Sequence, residues 1–482
     1  MAARKSSRSA ERSQLGTTSG TTSGASPGVN PDALSDHLLQ SLARFFESRL
    51  TPGERLCVAL SGGRDSVVLL HALHELTLPA AFSVELTALH VHHGLSANAD
   101  SWADFCRGLC ADLGIPLTLR HVEVPRDTGS GLEAAARALR HAAFDECGGS
   151  GTKDANGTQW LALAHHRDDQ AETVLLNLLR GAGVDGAAGM LAERPHGASG
   201  VRLIRPLLDV PRSVLEAYAA SRNLRWIDDE SNADTHFRRN YLRHEVMPRL
   251  AARFPGSDAA LARAAGHFAE AAALLAELAA ADRLLAAPAG RIEIGRLKAL
   301  PTARARNLLR YELRLAGCLA PDTRWLGEAL RQLASERAGA ATCVSVGRHQ
   351  LHVYRGEVHV VTVPASAPVA PLYWRGEAML PWAGGELRFS ETSAAGLSRE
   401  KLAAGELRIV ARSGGERLQP DARRPRRTLR NLLQEAAIPP WERERLPFLW
   451  CGDELAWIGM LGVDCRFACA PGEPGLRIEW VP

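Results

Sequence analysis

The sequence contains a short polar, glycine-rich loop between two apolar stretches: Ser61, Gly62, Gly63, Arg64, Asp65 and Ser66. Apolar residues run from Leu56 to Leu60 and resume at Val67. This pattern predicts a buried strand, a tight turn and a helix whose N-terminus and turn amides face an anion. Asp65 would repel a bare phosphate, so it favours a hard cation such as Mg²⁺ between the carboxylate and the phosphates.

The loop is not a Walker P-loop, because it lacks the lysine of G-x-x-x-x-G-K-[ST]. Its S-G-G-x-D-S pattern is that of the pyrophosphate loop, which belongs to enzymes that split ATP into AMP and pyrophosphate. An ordinary glycine turn before a helix is the structural alternative. We therefore predict that the six loop residues bind ATP, that ATP and Mg²⁺ are the cofactors, and that Asp65 is the metal ligand.

A second group of titratable residues follows the apolar run 160–164: His165, His166, Asp168, Asp169 and Glu172. The carboxylates lie three or four residues apart, so they share the first turns of a predicted helix. Acidic residues also favour a helix N-terminus for structural reasons alone, and the histidines are compatible with packing at a strand end. Because the carboxyl ends of parallel strands meet at one edge of a sheet, we predict that the three carboxylates join Asp65 in catalysis.

A third candidate lies on the predicted helix 131–144. Glu133, Arg137 and Arg140 are spaced i, i+4 and i+7, on one stripe of that helix. A salt-bridged surface helix is the alternative explanation. In the context of the loop, we predict that Arg137 contacts phosphate.

Short apolar strands and amphipathic helices alternate from residue 34 to residue 250, and these elements must position the candidate residues. The predicted strands are 56–60, 84–91, 117–124 and 160–164. Such alternation predicts an α/β fold with a doubly wound parallel sheet, covered on both faces. The resemblance of residues 61–66 to the pyrophosphate loop implies that this sheet is similar to that of the adenine nucleotide alpha hydrolases.

The rest of the chain differs from residues 34–250 in composition and in predicted secondary structure. Residues 1–33 are rich in Ser, Thr and Gly and predict a disordered tail, with a transit peptide or an over-long start as the alternatives. Residues 251–345 are predicted to form a helical domain, residues 346–403 a hairpin and a Pro/Ala linker, and residues 404–482 a small α+β domain.

Composition limits the classes of protein to consider. The chain has 482 residues, of which 46% are hydrophobic, and a net charge of +3. No uninterrupted apolar run approaches the roughly 20 residues of a membrane span, so we predict a soluble protein without a membrane partner. The nine cysteines form no C-x-x-C pair, which indicates reduced thiols and a cytoplasmic location.

An ordered set of motifs resembles the tRNA(Ile)-lysidine synthetases, a family of pyrophosphate-loop enzymes. The similarity covers nearly all of the chain after the tail. The motifs that carry it are 61–66, 90–96, 164–190, 205–218, 229–248, 412–420 and 432–450.

The resemblance implies a ligase. ATP would adenylate the carbon 2 oxygen of the wobble cytidine in a tRNA(Ile) with a CAU anticodon, and free L-lysine would then displace AMP to give lysidine. The edited tRNA would read AUA instead of AUG. The partners implied are this tRNA and lysine. The oligomeric state stays open, with a homodimer as one candidate.

The resemblance also implies further site residues. Contacts to lysine or cytidine are expected from His92, His93, Glu133 and His166. Many members of the family have aspartate at the position of His92, and if that aspartate contacts the amino acid, this chain must do so differently. The basic segment 421–430 is expected to contact the tRNA backbone, with a solvated loop as the alternative; its arginines are Arg423, Arg424, Arg426, Arg427 and Arg430.

Two other functions compete with this interpretation. A 2-thiocytidine-type tRNA enzyme of the same loop class would need a C-x-x-C pair, which the chain lacks. A non-catalytic tRNA-binding protein would be expected to have lost Asp65 or the carboxylates of residues 168–172, and all of them are present.

Overall fold

The computed structural model describes most of the chain: residues 31–78, 84–125, 132–146, 159–196, 200–288, 290–318, 321–335, 342–363, 370–393 and 395–481. The predicted tail therefore lies almost wholly outside the described residues, and the first helix begins at Pro31. The chain divides into two compact units, Met1–Ala272 and Ala273–Pro482.

The first unit contains a six-stranded sheet in the order β3-β2-β1-β4-β6-β5. All neighbouring strands are parallel except β5 and β6. The strands are β1 Arg55–Ala59, β2 Glu85–His92, β3 Leu117–His121, β4 Gln159–Ala162, β5 Glu193–His196 and β6 Val201–Ile204.

Both faces of the sheet are buried. Alternate residues of the central strands belong to two different hydrophobic cores, one on each face. Leu56 and Val58 of β1 pack in one cluster, whereas Cys57 between them packs in another. Successive side chains of a strand point to opposite faces. The predicted doubly wound α/β fold is therefore confirmed, and the chain order reverses between β1 and β4, the position where such sheets bind ligands.

Helices connect and cover these strands. Those that begin in the first unit are α1 Pro31–Glu47, α2 Arg64–Thr77, α3 Ala99–Leu113, α4 Leu132–Glu146, α5 Arg167–Leu179, α6 Val184–Ala187, α7 Arg212–Ser221, α8 Arg238–Tyr241, α9 Met247–Arg253 and α10 Ser257–Ala286. A π-helical turn, Leu242–Val246, joins α8 to α9. Turns of this kind are frequent at functional sites.

Helix α10 is long and apolar enough, by length and composition, to cross a membrane. Only 11% of its apolar window is buried. A single helix of this kind among the described residues is weak evidence for a membrane span. Its composition is rich in alanine and includes Arg263, Glu270 and Glu277.

The second unit begins with a helical layer packed on a four-stranded sheet of order β7-β10-β9-β8. The predicted hairpin near residue 350 is thus part of a larger sheet. Its elements are β7 Ile292–Glu293, α11 Ile294–Ala299, α12 Thr302–Leu315, α13 Thr323–Leu333, β8 Cys343–Val346, β9 His349–Tyr354 and β10 Glu357–Thr362.

The remaining residues form a strand-rich layer with its own core. Its strands are β11 Leu372–Tyr373, β12 Met379–Trp382, β13 Gly385–Thr392, β14 Leu397–Ser398, β15 Leu407–Val410, β16 Arg417–Leu418, β17 Arg427–Thr428, β18 Phe448–Cys451, β19 Glu454–Ile458, β20 Gly462–Val463 and β21 Gly475–Val481. Its helices are α14 Arg399–Leu402, α15 Leu429–Glu435 and α16 Pro440–Arg443.

The structure differs from the predicted hairpin and linker over 346–403. Strand β13 pairs along its length with β21, and Trp382 and Leu387 belong to the same core as Phe448. These strands therefore belong with the C-terminal residues. The short β-runs were missed because glycine and proline interrupt them. Residues 364–369 of the expected linker lie outside the described residues.

Candidate active site

The loop between β1 and α2 is held by its two serines. The Ser61 and Ser66 hydroxyls lie 3.0 Å apart, and the Ser66 hydroxyl also donates to the Gly63 carbonyl at 2.9 Å. The backbone N–H of Ser61 donates to the Ser66 hydroxyl at 3.2 Å. The loop is thereby closed on itself at the N-terminus of α2, where backbone N–H groups favour an anion.

Gly62 is required by both its conformation and its surroundings. Its φ is +87°, a region that side chains rarely adopt. A Cβ atom there would lie 2.4 Å from Cδ1 of Ile227. The Ile227 N–H in turn donates to the Gly62 carbonyl at 2.9 Å. The segment after α7 therefore holds the loop in place through the contact of Ile227 with Gly62. Only glycine leaves room for this contact.

His166 joins the loop to the carboxylate cluster. It precedes α5 and is 2% exposed. Its Nε2 lies 3.5 Å from Oδ2 of Asp65 and 3.4 Å from Oδ2 of Asp169, and its Nδ1 lies 3.6 Å from Oδ2 of Asp168. Three predicted carboxylates thus surround one buried imidazole, and the residues after β1 and β4 meet at the switch point as predicted.

The charges within this cluster are mutually dependent. Burial opposes the imidazolium form of His166, but Asp168 and Asp65 outweigh burial and raise its pKa to about 9. Burial likewise opposes ionisation of Asp65, but His166 and Arg64 lower its pKa to about 2. The site at neutral pH therefore contains an ionised Asp65 facing a protonated His166.

Asp169 and Glu172 are engaged by two arginines from the segment after α7. Arg239 donates to Oδ1 of Asp169 at 2.9 Å and to Oε2 of Glu172 at 3.0 Å. Arg243 donates to the same two carboxylates at 2.8 Å and 2.7 Å. Glu172 is only 3% exposed. These two carboxylates anchor the α8 and π-helical turns to α5 and are not free in this state.

Helix α7 supports the outer side of the site. The N–H of Arg212 donates to Oδ2 of Asp168 at 3.0 Å, which helps to lower the pKa of Asp168 despite its burial. Arg64 donates to Glu216 of the same helix at 2.7 Å and to Oδ1 of Asp65. One carboxylate oxygen of Asp65 therefore faces arginine and the other faces His166.

Arg137 lies on α4 with an exposed side chain. Its charge is close enough to lower the pKa of His165, although burial is the larger cause. It also contributes, after burial and Arg194, to lowering the pKa of Arg205 to about 10. Arg137 thus adds positive potential beside β4 and β6, as a phosphate contact would require. The side chain of Glu133, on the same helix, lies outside the described residues.

His92 and His93 have local partners at the end of β2. His92 Nε2 lies 3.1 Å from Oδ1 of Asp100, and its ring packs on His121 with centroids 4.6 Å apart. Arg140 donates to His93 at 3.4 Å. In the described part of the chain, neither histidine forms a hydrogen bond or ion pair with the Asp65 cluster, so their predicted contact with substrate stays a prediction.

The arginines of segment 421–430 fall into two groups. Arg426 lies 3.5 Å from the fully buried Asp464, and Arg427 pairs with Glu435 at 2.6 Å. Arg424 makes only a 3.7 Å ion pair with Asp421. Among the described residues, the exposed side chains of Arg423 and Arg430 form no hydrogen bond or ion pair. Arg423, Arg424 and Arg430 are therefore the arginines available to an RNA backbone.

Sequence reasoning missed the two arginines that bind the carboxylates. Arg239 and Arg243 lie in the motif 229–248, which carries part of the family resemblance but predicts no role for either residue. Their i, i+4 spacing was the available signal, because it places two guanidinium groups on one face. What the spacing could not show was which carboxylates they meet, some 70 positions earlier in the chain.

Comparison with known proteins identifies the family. Residues 34–250 match the family model described as the PP-loop domain, residues 293–359 the TilS substrate binding domain, and residues 407–480 the TilS substrate C-terminal domain. The chain is 45% identical to the tRNA(Ile)-lysidine synthase of Aromatoleum aromaticum, over 89% of this chain and 98% of that protein. It is 44% identical to that of Azoarcus sp., over 89% and 92%.

The similarity of this chain to a solved structure is much weaker than its similarity to these two relatives. The U34-tRNA thiolase NcsA from Methanococcus maripaludis is 17% identical, with a TM-score of 0.41, over 50% of this chain and 80% of that one. The long matches to curated relatives are decisive: the chain belongs to the family of tRNA(Ile)-lysidine synthases.

Proposed function

We propose that this chain ligates free L-lysine to carbon 2 of the wobble cytidine of a tRNA(Ile) with a CAU anticodon. The observation that carries the proposal is the cluster of Asp65, His166 and Asp168 beside the glycine loop, at the switch point of the sheet, in a chain of this family. The enzyme is a ligase that converts ATP to AMP and pyrophosphate.

The first step forms an adenylated cytidine. The carbon 2 oxygen attacks the α-phosphorus of ATP, the bond to the β-phosphate oxygen breaks, and pyrophosphate leaves with that electron pair. The loop amides and the N-terminus of α2 hold the phosphates, and Arg64 and Arg137 add positive charge around them. Charges placed in advance where charge develops lower the barrier of such a displacement.

Asp65 is the residue that would hold Mg²⁺. The described residues contain no group of three or more His, Cys, Asp or Glu side chains placed to hold a metal ion. Magnesium in nucleotide sites, however, ordinarily takes one or two carboxylates together with phosphates and water. Asp65 fits that role, because it stays ionised and its side chain is 32% exposed. A bound ion would neutralise charge on the departing pyrophosphate.

The second step joins lysine to the base. The lysine amine attacks carbon 2, AMP leaves with the former carbonyl oxygen, and the nitrogen loses a proton. His165 is neutral, because burial outweighs the nearby Asp169 and lowers its pKa. It can therefore take that proton only transiently and pass it on to solvent. Asp168 is the accessible carboxylate for an ammonium group, with a side chain 35% exposed.

Asp169 and Glu172 then act as positioning residues. Their exposed side-chain fractions are 11% and 3%, and each is bound by two guanidinium groups. They fix Arg239 and Arg243 at the site, where these arginines add positive charge for the AMP phosphate. This division of roles refines the prediction that all three carboxylates act directly.

The tRNA body is bound through the second unit. The support is the group of available arginines in segment 421–430 and the match of this segment to a substrate domain. Backbone contacts of this kind position the RNA without reading its sequence.

A cytoplasmic location and a homodimer complete the proposal. The eight cysteines of the described residues are thiols, as expected in a reducing compartment. Helix α10 exposes Leu274, Leu284 and Leu285 by 59%, 77% and 64%, an apolar surface of the kind that a second copy covers. Light scattering after size exclusion would give twice the chain mass of 51.9 kDa for a dimer.

Mass spectrometry of the tRNA tests the proposal. A tRNA(Ile) transcript with a CAU anticodon, incubated with the chain, ATP, Mg²⁺ and lysine, is expected to gain the mass of one lysine, less water, at the wobble base. Asp65→Asn should lower the rate on the order of 100-fold or more, whereas Asp104→Asn, an exposed carboxylate on α3, should not. An unmodified transcript with wild-type enzyme would reject the proposal.

A further inference from the structure

The second unit contains a polar cavity that the proposed function does not use. Its volume is about 480 Å³, which lies in the range of roughly 300–1,000 Å³ typical of small-molecule sites. It is bounded by α12, by the outer edge of β10 and by α16 with the residues that follow it. All of these elements belong to the same compact unit.

An aromatic side chain is held in place on the wall of this cavity. Trp441 of α16 stacks on His352 of β9, with ring centroids 4.3 Å apart and an interplanar angle of 25°. The ring of His359 on β10 packs edge-on against the indole at 5.0 Å. Trp441 is only half-buried, so part of a fixed ring stays accessible. Such rings are the usual platforms on which nucleobases stack.

The cavity also carries an excess of positive charge. Three arginines line it against two glutamates, Glu312 and Glu442. Arg283 is neutralised by Glu312 at 2.5 Å, whereas Arg291 approaches Glu357 only to 3.8 Å and is 60% exposed. Arg445 donates to the Ala383 carbonyl at 2.7 Å, and its buried Nε has no partner in the described residues. Two guanidinium groups are thus available for a phosphate.

Hydrogen-bonding groups without partners complete the wall. Strand β7 pairs only with Glu357 and Val358 of β10, and among the described residues no strand covers the outer edge of Val360–Thr362, which lines the cavity. His359 is 9% exposed. Its Nε2 has no hydrogen-bond partner in the described part of the chain and approaches Glu357 only to 3.8 Å. An open strand edge offers alternating donors and acceptors, which is what the edge of a base requires.

We propose that this cavity binds one nucleotide, with its base against Trp441 and the edge of β10 and its phosphate at Arg291 and Arg445. The nucleotide comes either from an unpaired position of the RNA or from the free nucleotide pool. The RNA source rests on the proposed function, and the free source does not.

The test compares full-length variants in two binding assays. Trp441→Leu and Arg291→Gln are expected to weaken tRNA binding on the order of 10-fold, while Trp441→Phe retains a ring and stays within a few-fold of wild type. Arg324→Gln removes an equal exposed charge from α13, outside the cavity wall, and serves as the control. Calorimetry with AMP forms the second assay, where a cavity site would appear as one binding site that Trp441→Leu lacks.

Each outcome is decisive. Weaker tRNA binding with unchanged AMP stoichiometry supports the RNA source, and loss of one AMP site supports the free nucleotide. Unchanged results in both assays overturn the proposal. If Trp441→Leu melts early, Arg291→Gln decides alone, because this exposed side chain contributes little to stability. Failure of wild-type enzyme to modify the transcript would count against the proposed function and not against the cavity.

Discussion

His166 has a strongly perturbed charge in the Asp65 cluster. Burial disfavours its imidazolium, yet Asp168 and Asp65 raise its pKa from 6.5 to about 9. Because the folded pKa lies above the unfolded one, the stabilisation is fully present below pH 6.5 and is lost as the pH rises through about 9. The shift corresponds to on the order of 3 kcal/mol.

We therefore expect the melting temperature of the wild-type chain to exceed that of His166→Gln most at about pH 6.5 and to lose that advantage by about pH 9.5. Thermal melts across this range, without nucleotide, measure the difference. His236→Gln is a suitable control, because that side chain is 97% exposed. Parallel pH profiles of wild type and His166→Gln would show that the imidazolium is not paired in the folded chain.

Residue types and spacing identified most members of the site but not their pairing. Asp65 and Asp168 follow strands that become neighbours at the switch point, so their proximity could be predicted from topology. The opposite charge states of His165 and His166 could not, because these depend on burial and on which carboxylates lie within about 4 Å. His92 shows the same limit: Asp100, its partner, is near in sequence, but spacing alone gave no reason to pair them.

The turn between β1 and α2 depends on two glycines with different roles. Gly62 has a φ of +87°, and an added Cβ would meet Ile227 at 2.4 Å. Gly63 has a φ of −72°, and its nearest neighbour would be the Ser61 hydroxyl at 3.5 Å. Gly62→Ala should therefore cost about 1–3 kcal/mol of stability and weaken ATP binding, whereas Gly63→Ala should leave stability nearly unchanged.

Urea unfolding of the two glycine variants measures this difference directly, and calorimetry with ATP measures the effect on binding. Equal stability of Gly62→Ala and Gly63→Ala would mean that the contact with Ile227 does not constrain the loop. A loss of ATP affinity in Gly63→Ala without loss of stability would indicate that phosphate approaches this glycine closely.

The attachment of the π-helical turn to α5 depends on buried charges. Arg243→Gln would leave Glu172, which is 3% exposed, with Arg239 as its one remaining arginine partner among the described residues. Breaking a buried pair from one side costs roughly 3–5 kcal/mol, and we expect a loss at the lower end because Arg239 remains. Arg249→Gln, which removes a pair that is 81% and 46% exposed, should cost less than about 1 kcal/mol.

A double variant separates burial from attraction in this pair. Arg243→Gln combined with Glu172→Gln removes the uncompensated charge, so it should recover part of the stability lost in Arg243→Gln alone. Urea midpoints of the four chains form the cycle. If the double variant were less stable by the sum of both single losses, the pairing in the structure would be incorrect.

Across the whole molecule, alternation of apolar strands and helices was enough to predict the doubly wound sheet, because its central strands are continuous apolar runs. The C-terminal layer was harder to predict. Strand β13 acquires its partner β21 about 90 residues later in the chain, and local pattern carries no information on such pairing. Short strands interrupted by Gly384 and Gly385 therefore resembled a linker.

Binding of the tRNA body depends on which arginines the fold leaves available. Arg423→Gln and Arg430→Gln should weaken tRNA binding and lower the slope of log affinity against log salt by about 0.9 each, without changing the melting temperature. Arg426→Gln should instead lower the melting temperature, because Asp464 is fully buried and keeps only Arg466 as an ion-pair partner among the described residues. Filter binding between about 50 and 200 mM salt distinguishes the two groups. Equal slopes for wild type and both exposed-arginine variants would place the RNA on another surface.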